Sequence, residues 1–253
     1  MITEIGMQLM VMAALITLFA GVVKGAVGFA MPMIMISGIS SVLPAETALA
    51  MLILPTVLTN VTQALRQGWR EAWASVRRFK VYLMVGGVFL VIGAQLVPYL
   101  PSHILLLTIG VPVTIFALMQ LFGVTFVIAS ENRIKAEGMI ASLAGFIGGM
   151  SGVWGPPTVA YLTATNTPKQ EQVRVQGVIY GLGAVLLFLA HLQTGVVSAR
   201  TLPVSALMLI PAGIGMLIGF AIQDRLDQGK FKKATLLVLV VAGLNLVRRG
   251  LMG

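Results

Sequence analysis

The chain has 253 residues, 58% of them hydrophobic and 10% charged, with 17 Lys and Arg against 8 Asp and Glu. A soluble domain carries roughly 25% charged residues, so this chain cannot cover its surface in water and reads as a polytopic membrane protein. The net charge of +9 sits at the ends of apolar runs, where it sets topology and meets anionic lipid rather than nucleic acid, and the absence of cysteine excludes disulfides, thiol catalysis and cysteine-ligated metal.

Apolar runs long enough to cross, or nearly cross, a bilayer follow one another as Ile5–Val23, Phe29–Leu43, Thr47–Leu65, Phe79–Pro98, Ile104–Ala129, Gly138–Met150, Val153–Thr165, Val173–Gln193, Leu202–Ile222 and Phe231–Val247. The first has no basic leader or small-residue cleavage site and is expected to be retained. The second, sixth and seventh look too short for independent spans. The longest polar interruption, Arg66 to Lys80, reads as a short loop.

Beside each short run lies a glycine cluster. Gly21-x-x-x-Gly25-x-x-Gly28 recurs 127 positions later as Gly148-x-x-x-Gly152-x-x-Gly155, near Pro32 in the first copy and Pro156-Pro157 in the second. Leu65-x-x-Gly68 meets Leu192-x-x-Gly195 and Gly86 meets Gly213 at the same offset of 127. Several matches in one order indicate duplication, with residues 1–129 as a first transmembrane repeat and 130–253 as a second. Broken backbone is tolerated at membrane depth only where it lines a polar cavity or is buried in protein.

Charge decides the orientation of the halves. Suppose each broken element enters and leaves on the same side and is followed by about three spanning helices. The halves are then inverted, 13 of the 17 basic residues fall on the cytoplasmic side, and Lys24 lies within the membrane. Both termini are then expected outside. If each broken element crossed once, the count would fall to 10 inside against 6 outside. The expected fold is therefore an all-α membrane protein of two inverted halves, each with a Gly-rich broken hairpin.

The phrase Phe19-Ala-Gly-Val-Val-Lys-Gly-Ala-Val-Gly-Phe-Ala-Met-Pro32 resembles the first signature of the sulfite exporter TauE/SafE family, and Gly145-Phe-Ile-Gly-Gly-Met-Ser-Gly-Val-Trp-Gly-Pro-Pro157 resembles its second. The resemblance covers nearly the whole chain. It implies secondary transport of sulfite, sulfoacetate or related organosulfonates across the bacterial inner membrane, coupled to protons and without a cofactor. Phe29-Ala30 and Pro156-Pro157 stand where members commonly carry further glycines, which leaves a carboxylate or an aromatic sulfonate open as substrate.

An anion crossing a bilayer needs fixed positive potential and hydrogen-bond donors in place of water. Free amides at helix N-termini supply both. The breaks place Gly25, Ala26, Val27 and Gly28 before one short run, and Ser151, Gly152, Val153, Trp154 and Gly155 at the other. Two inverted copies are expected to bring these amides together near the midplane. The competing reading is that the glycines only let helices pack closely. Lys24, inside the first break, is the counter-charge for the substrate; snorkelling to an interface is the alternative. Asn60 with Gln63, and Gln176 with Tyr180, share helical faces and supply either neutral donors to an oxyanion or interhelical hydrogen bonds. His191 is a candidate for the coupling proton. Arg174 is read as an anchor, and Glu46 and Glu171 as helix caps.

Two other function classes compete with transport. An intramembrane enzyme needs a nucleophile–base pair or paired metal ligands, and neither a His-Glu-x-x-His nor a Gly-x-Gly-Asp motif is present. An anion channel would share the amide-lined site and differ in turnover and counterflow.

Overall fold

The computed structural model describes residues 6–96, 102–124, 128, 130–151, 155–193 and 197–252, and these are helical with no strand among them. In chain order the helices are α1 (Met7–Val27), α2 (Met31–Ile39), α3 (Ala45–Leu65), α4 (Trp69–Arg78), α5 (Lys80–Leu96), α6 (Ser102–Leu121), α7 (Arg133–Ser151), α8 (Gly155–Ala164), α9 (Lys169–Gln193), α10 (Leu202–Leu207), α11 (Leu209–Arg225) and α12 (Gln228–Met252). Lipid offers the backbone no partners, so apolar segments of this length close their amides internally. Met7–Val27, Thr47–Leu65, Leu202–Arg225 and Gln228–Met252 are each long and apolar enough to cross a membrane.

Three sequence expectations change. The stretch from Arg66 to Lys80 is not a loop: ten of its residues form α4. The sixth run is not short, because α7 extends back to Arg133 and spans 19 residues. The first run does not stop at Val23, since α1 continues to Val27. Of the three runs read as short, the second and seventh remain so, as α2 and α8 at 9 and 10 residues.

The chain forms two compact units that do not follow the sequence halves. One joins Met1–Ala72 to Gln176–Asp227, and the other joins Trp73–Val175 to Gln228–Gly253. In the first unit, α1 packs along α11. Gly21 lies against Ala212 and Gly215, and Gly25 against Met216 and Gly219, so the contact advances in the same direction on both and the helices run parallel. A methyl on Gly21 would sit 2.6 Å from the Ala212 carbonyl oxygen. The core beside this pair is thioether-rich, with Met31, Met35, Met51 and Met208 buried among Ile39, Leu52 and Val204.

Pro55 interrupts α3 and removes the hydrogen bond that the Met51 carbonyl would accept. Ser205 on α10 takes its place. Its hydroxyl donates to the Met51 oxygen at 3.5 Å and accepts from the Leu54 amide at 3.1 Å. The carbonyl that the proline leaves free is thereby paired inside the protein.

In the second unit, α5 and α7 pack through Gly86 against Gly145 and Gly93 against Phe146, again in parallel. Helices α6 and α12 pack antiparallel: Gly110 meets Gly243, and Gly250 meets His103 and Leu107.

Candidate functional site

The first glycine cluster ends α1 and begins α2. Gly28 adopts the left-handed conformation at φ 89°, and its amide donates to the Lys24 carbonyl at 2.7 Å. This is the usual glycine stop of a helix, open to a residue without Cβ. Phe29 follows, and Ala30 at φ 74° is also left-handed, a conformation costing an alanine roughly 1 kcal/mol. Helix α2 restarts at Met31 with Pro32 in its first turn, where a missing amide costs nothing.

The end of α1 leaves carbonyls without helical partners. Two glutamines supply donors. Gln63 Nε2 on α3 donates to the Gly28 oxygen at 3.0 Å. Gln176 on α9, with its amide nitrogen turned toward the acceptors, donates to the Val27 oxygen at 3.2 Å and the Gly28 oxygen at 3.1 Å. Both side chains are fully buried. Gln176 reaches the break because Gly177 brings α9 against α3, where a methyl would lie 2.5 Å from the Ala64 nitrogen and 3.0 Å from the Asn60 oxygen. Tyr180, one turn further on, is also buried.

Lys24 points into this cluster from the last turn of α1 and is 1% exposed. Its Nζ donates to Asn60 Oδ1. Lys24 forms no salt bridge with any described residue, so no described carboxylate neutralises it. The negative end of the α1 dipole offsets part of its charge. Asn60 lies six residues before Arg66, about 9 Å along α3. There Arg66 is held by both oxygens of Asp224, by Gln223, and by stacking at 3.9 Å on Phe220. The lysine therefore sits level with a point about halfway between the middle of α3 and its end.

Lys24, Asn60, Gln63 and Gln176 thus converge, as their spacing allowed. The expected free amides of Gly25, Ala26, Val27 and Gly28 do not exist. These residues lie within α1 or cap it, and the break presents carbonyls, already occupied by glutamines. The physical reason is that a helix in lipid gains by closing every amide it can before glycine ends it. Gly25 itself is a packing residue against α11.

At the second break, α7 ends at Ser151 and α8 opens at Gly155. Gly152, Val153 and Trp154 lie outside the described residues, as do the side chains of Ser151, His191 and Glu46. Arg174 donates to Ser75 Oγ at 2.8 Å, and Glu171 accepts from Arg78.

A second polar cluster, in the other unit, escaped sequence reasoning. Glu137 on α7 is buried and accepts the Tyr82 amide at 3.0 Å and the Tyr161 hydroxyl at 3.4 Å, while the Tyr82 hydroxyl shares a 2.7 Å hydrogen bond with Thr158. The available signal was an acid one turn after Arg133 in a segment that soon becomes wholly apolar. It caps the start of α5 with a carboxylate, favourable against the helix dipole.

The pattern of the sulfite exporter TauE/SafE family matches residues 13–246, spanning both breaks and every helix from α1 to α12. The chain belongs to this family. No curated protein and no solved structure matches it. As a TauE/SafE protein it is a multi-pass membrane transporter of small anions and not an enzyme.

Within this TauE/SafE chain the two glutamines should be structural as well as local. Replacing Gln63 and Gln176 together by leucine leaves the Val27 and Gly28 carbonyls buried without these donors. The expected cost is about 1–3 kcal/mol, measured as a lower midpoint of thermal unfolding in detergent. An unchanged midpoint would show that these bonds do not hold the break together.

Proposed function

We propose that this TauE/SafE protein is a secondary transporter of a small sulfur-containing or organic monoanion, and that Lys24 is the counter-charge its substrate meets. The observation that carries this reading is the burial of one ammonium with a neutral amide partner and no described carboxylate. A charge within a membrane helix costs about 3 kcal/mol on insertion scales and marks an ion pathway. A protein that buries a cation with only neutral groups around it gains most from an anion.

Charge counting narrows the cargo. One ammonium with neutral amides is balanced by one negative charge, whereas a dianion would leave a net negative charge buried. A sulfonate with no second acidic group, or hydrogen sulfite, fits; sulfate and sulfoacetate, both dianions, do not. Proton coupling and a bacterial inner-membrane location belong to the same proposal, on the strength of the family.

The duplicated halves, 1–129 and 130–253, are read as inverted. Support comes from α6 and α12, which occupy equivalent places at the offset of 127 and pack antiparallel within one unit. Equivalent helices of a parallel duplication would point the same way.

The test is uptake into proteoliposomes with an imposed pH gradient. The panel holds hydrogen sulfite, small sulfonates, matched carboxylates and sulfate. Saturable, gradient-dependent uptake of a sulfonate or hydrogen sulfite, with sulfate excluded, is expected. Sulfate carried as well as sulfonate would overturn the monoanion assignment, carboxylate preferred over sulfonate would overturn the sulfur assignment, and ungated flux without counterflow would replace the transporter by a channel.

A further inference from the structure

The segment Trp69-Arg-Glu-Ala-Trp-Ala-Ser-Val-Arg-Arg78 is a sharply two-faced helix, and nothing in the transport site uses it. It joins the end of the membrane-spanning α3 to the start of the apolar α5, so it lies at a membrane surface. Ala72 and Ser75, followed by Phe79, turn inward and are buried. Trp69 and Trp73, one turn apart, are 69% and 45% exposed beside that inward face. Arg70 and Arg77, two turns apart, continue round the helix next to the tryptophans and are exposed. The Arg77 guanidinium lies 5.7 Å from the Trp73 ring centre. Neither Arg70 nor Arg77 forms a salt bridge among the described residues, in contrast to Arg66 and Arg78, which are held by Asp224 and Glu171.

We propose that α4 is an in-plane membrane anchor whose Trp69–Trp73 edge enters the headgroup boundary while Arg70 and Arg77 bind anionic phospholipid headgroups. Tryptophan prefers the boundary because its ring is apolar and its indole N–H is polar. Arginine matches phosphate in geometry and charge, and each basic residue at an anionic surface strengthens binding about fivefold. A helix that were only a connector would gain nothing from exposing two indoles beside two uncompensated guanidinium groups. The chain also passes from one compact unit to the other inside this helix, between Ala72 and Trp73. An anchor at that point holds the linker to the membrane surface.

The test uses the full chain in vesicles of phosphatidylcholine and phosphatidylglycerol, with either lipid brominated in the acyl chains. Tryptophan quenching is read as the difference from a W69F/W73F variant, which removes the contribution of Trp154. Quenching by brominated phosphatidylglycerol is expected to exceed that by brominated phosphatidylcholine at equal mole fraction. In R70Q/R77Q that preference should fall by about 30-fold, two basic residues' worth. Inorganic phosphate in the buffer should leave the quenching unchanged. Equal quenching by both lipids, no quenching at all, a preference that survives R70Q/R77Q, or displacement by free phosphate would each overturn the assignment. None of these readouts depends on whether the protein transports an anion.

Discussion

Lys24→Ala is expected to lower anion uptake at least about 100-fold while the protein still reaches the membrane and folds. Removing one partner of a buried charge pair costs about 3–5 kcal/mol, and here the missing partner is the substrate itself. Folding should survive, since the free protein loses a costly buried ammonium along with one hydrogen bond to Asn60. A second substitution removes ambiguity. Asn60→Asp places a carboxylate where Lys24 Nζ already donates, so the lysine acquires a permanent counter-ion. Uptake should fall as in Lys24→Ala, and the thermal midpoint should hold or rise. Substrate flux in Asn60→Asp close to that of the parent would show that no anion needs the free charge of Lys24, and the site would have to be sought elsewhere. Loss of uptake in Lys24→Ala with aggregation would speak only to folding. Two variants that both stay folded and both lose transport, one by removing the charge and the other by pairing it, separate these cases.

Part of this site is legible in the amino-acid sequence alone. Lys24, Asn60, Gln63 and Gln176 stand out because polar residues are rare and costly in apolar runs, and helical spacing puts Asn60 and Gln63 on one face. What spacing cannot provide is the partner of each. Two glutamines able to donate to an oxyanion are equally able to donate to carbonyls, and only the position of Gly28 shows which they do. The glycine pattern misleads in a similar way. A GxxxG stretch states that something comes close, and at Gly21 and Gly25 it is the backbone of α11 rather than an anion. Gly28 alone does what the break requires, at a left-handed φ of 89°. The amphipathic α4 is hidden because its charges suggest a loop, although buried positions at Ala72, Ser75 and Phe79 follow a helical period. Least legible is the composition of the compact units. Local patterns specify helices and repeats, while the exchange that sets α1 beside α11 and α5 beside α7 depends on contacts between segments far apart in sequence.

That exchange makes the second large prediction. Gly25→Val should abolish the folded protein rather than merely its transport. A Cβ at Gly25 would sit 2.8 Å from the Gly219 Cα and 2.9 Å from the Phe220 nitrogen, with the Met216 oxygen nearer still. All three are backbone atoms of a packed helix, so no side-chain rotation relieves the clash. The two helices would have to separate along their shared glycine face, and overpacking of this kind costs about 3 kcal/mol or more. A valine also adds two methyl groups beyond the Cβ. Gly219→Val should fail in the same way, because its Cβ would meet the Gly25 Cα at 2.7 Å. The internal control is Gly213→Ala on the same helix, where a Cβ meets nothing within 4 Å. It should leave stability unchanged or slightly raised, since alanine favours helix over glycine by about 1 kcal/mol. Monodispersity in detergent and the thermal midpoint read the outcome. A Gly25→Val protein that is monodisperse with a normal midpoint but silent in transport would restore the anion-binding reading of this glycine and refute the parallel packing of α1 on α11.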